Sequence, residues 1–158
     1  MSLNRTELIK EKLSSFQFDF SDVNGTICVT IPKDKLLDAC KILKSDLNFD
    51  QCRDAVSVDR FTKKNRYEII YNLYSLTEKD RLFIRVILDG KEPESPSISG
   101  IWKSADWYER EAYDMVGIKF SGHPDLRRIY MPEEFEYYPL RKDFPLMGIP
   151  DSIPLPNK

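Results

Sequence analysis

The chain of 158 residues carries one histidine, three cysteines and six glycines, and each scarcity removes a class of chemistry. With His123 as the single imidazole, no His-based metal cluster forms within it. Cys28, Cys40 and Cys52 are odd in number and show no C-x-x-C pairing. That argues against a disulfide framework or a zinc site, and against the closely spaced thiolates that iron–sulfur clusters usually take. Buried free thiols on a strand, a helix and a strand are the expectation. Neither G-x-G-x-x-G nor G-x-x-x-x-G-K-[ST] occurs, so no nucleotide loop is signalled. No apolar run approaches the roughly 18 residues of a membrane-spanning helix. Asn72 and Arg85 interrupt the longest candidates. The opening Met-Ser-Leu-Asn-Arg-Thr-Glu lacks the apolar stretch of a signal peptide. The expectation is a reducing compartment, no direct membrane insertion, and contact with a membrane only through partners. A net charge of −2 and a pI near 5.5 argue against a nucleic-acid-binding surface over the whole domain.

What is present is apolar content of 41% and charged content of 32%, in a length that suits one domain of roughly 100–200 residues. A cap at Asn4 or Thr6 with Leu8, Ile9 and Leu13 predicts a first helix to about Ser14. Phe16, Phe18 and Phe20 alternate with Gln17 and Asp19 as a half-buried strand would. Asp22-Val23-Asn24-Gly25 supplies a turn into a partner strand at Thr26–Ile31. Pro32 stands where a helix begins, and Leu36, Leu37, Cys40, Leu43 and Leu47 recur at helical spacing. Three strands follow, about Phe49–Phe61, Arg66–Leu76 and Arg81–Leu88, joined by Lys63-Lys64-Asn65 and Thr77-Glu78-Lys79-Asp80. The order α-β-β-α-β-β-β predicts an α+β two-layer sandwich with a mostly antiparallel sheet.

Ser104 reads as the cap of a helix over Ala105–Val116, with Gly117 as its stop. Beyond Phe120 lie seven of the ten prolines, which exclude a paired central strand or an uninterrupted helix. That stretch also holds Leu126, Ile129, Tyr130, Phe135, Tyr137, Tyr138 and Phe144, too apolar a set for a solvated tail. Three parts result: an α+β domain at 1–90, a loop and acidic helix at 91–120 packed on it, and an extended partner-binding tail at 121–158. Partial disorder without the partner, and protease nicking after Phe120, are the expectations for that tail.

The 105–116 helix crowds Glu109, Glu111 and Asp114 beside Asp106 and Arg110, with Tyr108, Ala112 and Met115 as its apolar stripe. Such carboxylates serve either as an acid–base group or as a charged face laced with salt bridges, and the second is the commoner arrangement. His123, between Gly122 and Pro124, suits a turn or a partner contact better than a base, since no nucleophile stands near it. Arg127-Arg128 and Arg141-Lys142 are basic pairs among aromatics. The acids Asp125, Glu133, Glu134, Glu136 and Asp143 in the same stretch oppose phosphate, so a protein interface fits better than a nucleic acid.

Glu109-Arg110-Glu111, Asp114-Met115, Gly117-Ile118, Phe120 and Gly122 through Ile129 (G-H-P-D-L-R-R-I) form one block, and Pro139 through Leu146 (P-L-R-K-D-F-P-L) a second. Together with Ile101 through Asp106, they resemble the signature of the C subunit of NADH–quinone oxidoreductase, the 30 kDa subunit family of respiratory complex I. One departure is Tyr137-Tyr138, where the family usually has Gly-His. The resemblance implies a scaffold without a catalytic centre or cofactor of its own. FMN, iron–sulfur clusters and quinone are expected in partner subunits. It implies docking on the hydrogenase-like D subunit, near the iron–sulfur subunits of the peripheral arm and indirectly the membrane arm, at the cytoplasmic face of the cell membrane. Glu109, Arg110, Glu111, Asp114, His123, Pro124, Asp125, Arg127, Arg128, Arg141, Lys142 and Asp143 become the expected interface residues. An equivalent subunit of a membrane-bound hydrogenase, or of a complex fed by ferredoxin or coenzyme F420, is the near alternative. A carboxylate acid–base enzyme is the distant one.

Overall fold

The structure is a computed structural model that describes residues 3–16, 18–62 and 64–149. Gln17, Lys63 and the last three prolines (Pro150, Pro154 and Pro156) lie outside the described residues, as does the side chain of Asn4, one of the two expected caps. The chain runs α1 (Leu3–Leu13), β1 (Asp19–Val23), β2 (Thr26–Thr30), α2 (Leu36–Ser45), β3 (Gln51–Asp59), β4 (Tyr67–Ser75), β5 (Asp80–Leu88), β6 (Glu94–Pro96), α3 (Ala105–Val116) and β7 (Lys119–Ser121). Five strands form one sheet in the order β1-β2-β5-β4-β3, antiparallel except where β2 lies parallel to β5. This is the α+β architecture that the pattern predicts. The one parallel pair follows from α2, which carries the chain from β2 to the far edge, so that the β3-β4-β5 meander returns beside β2.

The hairpin turn between β1 and β2 is Asn24-Gly25, both at positive φ (52° and 79°), the backbone twist that two-residue hairpins require. Strand β1 starts later than the phenylalanine alternation suggests. Ser14–Phe16 forms a 3-10 turn, and the Phe16 and Phe18 rings stack at 5.1 Å, so ring packing displaces the ladder there. Lys33–Lys35 is likewise a 3-10 turn, and α2 begins only at Leu36. The small parallel pair β6–β7 has no counterpart in the sequence pattern, because three-residue strands are too short to show a period.

One face of the sheet carries Ala55, Tyr71, Ile84 and Val29 in a single row, with Leu73 and Leu82 beside them. All are buried in a core shared with Ile9 and Leu13 of α1, Leu36 and Leu43 of α2, and Ala105, Ala112 and Val116 of α3. Each buried Leu or Ile side chain contributes about 1.5–3 kcal/mol. Cys28, Cys40 and Cys52 are buried free thiols on β2, α2 and β3, as expected. Burial pushes the Cys52 thiol up to about 12, so it is an inert packing group.

Helix α3 is strapped along the open edge of β3. The Trp102 indole donates to the Phe49 carbonyl at 2.9 Å, the Ser104 hydroxyl to Cys52 at 2.6 Å and the Tyr108 hydroxyl to Arg53 at 2.6 Å. Ser104 therefore does not cap α3. Its hydroxyl occupies an edge carbonyl that would otherwise invite a foreign strand.

Gly117 ends α3 at φ +80°, and a Cβ there would lie 2.6 Å from both the Arg141 guanidinium and the Tyr138 ring. Gly122 has nearly the same φ, +79°, but open space around it. Replacing either with Ala costs about 1–2 kcal/mol for the left-handed backbone, and only Gly117→Ala adds a clash. Urea titration is expected to rank Gly117→Ala as the less stable variant; equal midpoints contradict the close approach.

Candidate functional site

Three carboxylates, Asp59, Glu109 and Asp114, are buried at or near the junction of α3, the β3–β4 hairpin and residues 122–147. In α3 the buried positions are Ala105, Glu109, Arg110, Ala112, Asp114 and Val116. The stripe expected from Tyr108, Ala112 and Met115 is rotated, since Tyr108 and Met115 are only half-buried.

Asp114 has no solvent exposure. Its Oδ2 accepts from the backbone N–H groups of Ile129, Tyr130 and Met131 at 2.9, 2.6 and 3.0 Å, and its Oδ1 from Arg128 at 2.7 Å. Burial works to raise its pKa, but the three N–H donors and the guanidinium outweigh burial and hold it below the usual carboxylate range. Arg128 also donates to the backbone carbonyls of Asp114 and Tyr137. Arg110 pairs with neither Asp106 nor Asp114; it donates to the carbonyls of Arg127 and Arg128 at 3.3 and 3.4 Å.

The ribbon completes α3 as well. Leu140 N–H donates to the Met115 carbonyl at 2.9 Å and the Arg141 guanidinium to Val116 at 2.6 Å, so the last helical carbonyls gain the partners a helix cannot supply. The Tyr138 ring lies under Arg141 (4.4 Å) and Arg128 (5.3 Å) and edge-on to Tyr113 (6.3 Å). The departure at Tyr137-Tyr138 thus places a ring between two guanidiniums.

Asp59 ends β3 in phase with the core face. It takes Arg66 through two hydrogen bonds (2.8 and 2.7 Å) and the N–H groups of Phe61 and Lys142 at 2.9 Å each. Burial opposes ionisation, yet Arg66 and these N–H groups prevail and the carboxyl sits at about 2. Arg66 also reaches Asp143 at 2.9 Å, which fastens a second point of the ribbon.

Glu109 has no solvent exposure, lies deeper and meets only neutral donors: Tyr71 OH at 3.2 Å, Ser97 OH at 2.5 Å and Ile98 N–H at 2.8 Å. His123 lies 3.9 Å away. Its Nδ1 accepts from Asp125 N–H (3.1 Å), which places the ring proton on Nε2, 3.2 Å from the Asp106 carbonyl. Desolvation therefore exceeds the help of the hydrogen bonds, and Glu109 rises to about 7.

The expected interface residues divide by burial. Glu109 and Asp114 are sealed inside the chain, Arg110 nearly so, and the His123 side chain is covered. The side chains of these four are turned onto groups of their own chain. Glu111, Pro124, Asp125, Arg127, Lys142 and Asp143 are exposed, with Asp125 and Arg127 paired at 2.8 Å. Residues 121–149 follow the surface of their own domain. Trp107 and Tyr130, 60% and 61% exposed, are not among the expected interface residues, nor are Asp59 and Arg66. Among the described residues no group of three or more His, Cys, Asp or Glu is placed to hold a metal ion, and no helix is long and apolar enough to cross a membrane.

Residues 29–150 match the family model described as respiratory-chain NADH dehydrogenase, 30 Kd subunit. The chain is 40% identical over 147 residues to the NADH-quinone oxidoreductase C subunit of Geobacter sulfurreducens, covering 92% of this chain and 90% of that one. It is 42% identical over 154 residues to the C 2 subunit of the same enzyme in Rhizobium etli, covering 96% and 81%. A trypsin-resistant fragment of Nqo5 superposes with a TM-score of 0.69 at 30% identity, over 77% of this chain and 99% of the fragment. The membrane-bound sulfane sulfur reductase, an archaeal respiratory membrane complex, contains a chain that matches with a TM-score of 0.77 at 23% identity. It covers 91% of this chain and 87% of that one, and shows shared fold alone. The chain belongs to the 30 kDa subunit family of respiratory-chain NADH dehydrogenase.

Glu109 gives this arrangement a pH signature. Below about 4.3, the unfolded glutamate value, both states are protonated. From there to about 7 the folded carboxyl keeps a proton that the unfolded chain has released, so stability falls as pH rises through that window and the loss is complete above it. The total is about 4 kcal/mol at ~1.4 kcal/mol per unit. Glu109→Gln, neutral at every pH, is expected to flatten the slope of unfolding free energy between pH 5 and 7. An unchanged slope contradicts the assignment.

Proposed function

We propose that this chain is a non-catalytic scaffold subunit in the peripheral arm of a proton-pumping NADH–quinone oxidoreductase. It docks through the ribbon of residues 122–149 on the hydrogenase-like subunit near the quinone site. FMN, the iron–sulfur clusters and quinone belong to the partner subunits in this reading. The chain then lies at the cytoplasmic face of the membrane, through the complex and without insertion of its own.

The observation that carries the proposal is the ribbon held in shape by Asp59 and Asp114. It exposes Tyr130, Leu140, Leu146 and Met147, with Trp107 outward on α3. Aromatic and apolar anchors of this kind dominate binding energy at protein interfaces. A surface set in place before contact avoids the ordering cost of a free tail. Burial supports a scaffold over an acid–base enzyme. The oxygens of Glu109 and Asp114 are committed to donors of the same chain, and of Glu109, Glu111 and Asp114 only Glu111 faces solvent.

The test is affinity purification of the tagged chain from mild-detergent membranes of its own host, with mass spectrometry of the companions. Co-purification with a hydrogenase-like subunit, iron–sulfur subunits and an NADH-oxidising flavoprotein is expected. A ferredoxin- or F420-linked input subunit instead would replace the NADH assignment. Recovery alone, with no membrane-complex subunits, refutes the scaffold reading.

A further inference from the structure

The core and all three α-helices lie on one face of the five-stranded sheet. The other face presents Val56 and Val58 of β3, Ile70 of β4, and Phe83 and Ile87 of β5. These residues are half-buried, with Val56 49% exposed, and none joins the core cluster. Register sets them side by side: Val56 opposite Ile70, and Ile70 opposite Arg85. Arg85 therefore has Ile70 opposite it and Phe83 and Ile87 on its own strand, with Glu68 and Asn72 diagonal to it, and its Nε and Nη2 both donate to the Thr30 hydroxyl, at 3.0 and 2.8 Å.

That guanidinium, like those of Arg53, Arg110 and Arg141, is held by a neutral acceptor. Arg5, Arg60, Arg66 and Arg128 each face a carboxylate: Asp80, Glu68, Asp59 and Asp114. Arg85 faces a neutral hydroxyl, and no ion pair involves it among the described residues. Glu68, two residues along the neighbouring strand from Ile70, has both oxygens on Arg60 at 3.2 and 2.9 Å. The remaining charges on this face are Arg53, stacked 3.5 Å over Tyr74, and Arg81, Asp54 and Asp19. With Glu68 and Arg60 paired, the face keeps its central cation unmatched on a chain whose net charge is −2. A half-buried cation without a counter-ion, beside Ile70, Phe83 and Ile87, is complementary to one chemical pattern: a carboxylate flanked by apolar side chains.

We propose that this outer sheet face is a second docking surface, separate from the ribbon. It takes a segment of another subunit that presents an Asp or Glu between apolar residues, with the carboxylate on Arg85. The proposal rests on the reading of this chain as part of a larger complex and adds a contact to it. The pairing is the directional, charge-assisted kind, in which loss of one desolvated partner is costly.

A photo-crosslinker separates the two surfaces in the intact complex purified from the host. Benzoylphenylalanine replaces Val56 in one strain and Leu140, on the ribbon, in another, and cross-linked peptides are sequenced. The expected result is an adduct from Val56 to a different subunit, within a peptide holding an acidic residue between apolar ones. Arg85→Gln in the Val56 background then lowers adduct yield at least tenfold, and Arg85→Lys restores part of it. An adduct from Leu140 with none from Val56 overturns the second surface and leaves the ribbon reading intact. Adducts from neither position remove both. An adduct from Val56 to a second copy of this chain, to its own residues 150–158, or with a yield indifferent to Arg85→Gln, overturns the proposed occupant.

Discussion

The Asp114 carboxylate accepts three successive backbone N–H groups and one guanidinium while shielded from water, and the course of residues 128–149 depends on it. Taking a carboxylate out of water costs several kcal/mol. Hydrogen bonds to a charged group return about 1.5–3 kcal/mol each. Four donors, one of them the Arg128 guanidinium, are enough to reverse the sign, which is why Asp114 stays ionised; Glu109 is set deeper in the core, has three donors and no cation on it, and rises to about 7. Asp59 repeats the Asp114 solution at the other side, with Arg66 as its cation and Lys142 N–H as its hold on the ribbon.

From that constraint follows the shape offered to a partner. A proline-rich segment satisfies only part of its backbone through turns of its own, such as Phe135 N–H to Pro132 and Phe144 N–H to Arg141, and the Ile129, Tyr130, Met131 and Lys142 donors go to carboxylates fixed in α3 and β3. In exchange it supplies N–H and guanidinium donors to the last carbonyls of α3, including those of Met115 and Val116. Helix end and ribbon each provide what the other lacks. Gly117 is the point where they meet most closely, and the Phe135, Tyr137 and Phe144 rings, 5.6–6.5 Å apart, fill the fold of the ribbon.

The α+β class, the five main strands, the two helices α2 and α3, and the inert thiols are legible because each rests on a period or a spacing. What escapes does so for physical reasons. Glu109 sits in phase with Ala105, Ala112 and Val116, but a search for an apolar stripe discards a charged residue and rotates the face to Tyr108 and Met115. Asp59 continues the core-facing phase of Ala55 and Ser57, and an acid in that phase is itself a signal of a buried partner. The roles of Arg128 and Arg110 depend on the path of the ribbon, and no local pattern encodes partners fourteen to eighteen residues away. Ser104 shows a local rule overridden, since the open carbonyl of Cys52 outcompetes the helix end for its hydroxyl.

The most direct measurement is residue-resolved amide hydrogen exchange on the isolated chain. A ribbon held by its own domain requires the Ile129, Tyr130, Met131 and Lys142 amides to be protected without any partner, and Asp114→Asn to release the first three while the β4 and β5 amides stay protected. Rapid exchange at all four positions in the unmodified chain, beside a protected sheet, would mean that the ribbon takes its shape only on the partner, and would contradict a preformed docking surface held by Asp114 and Asp59.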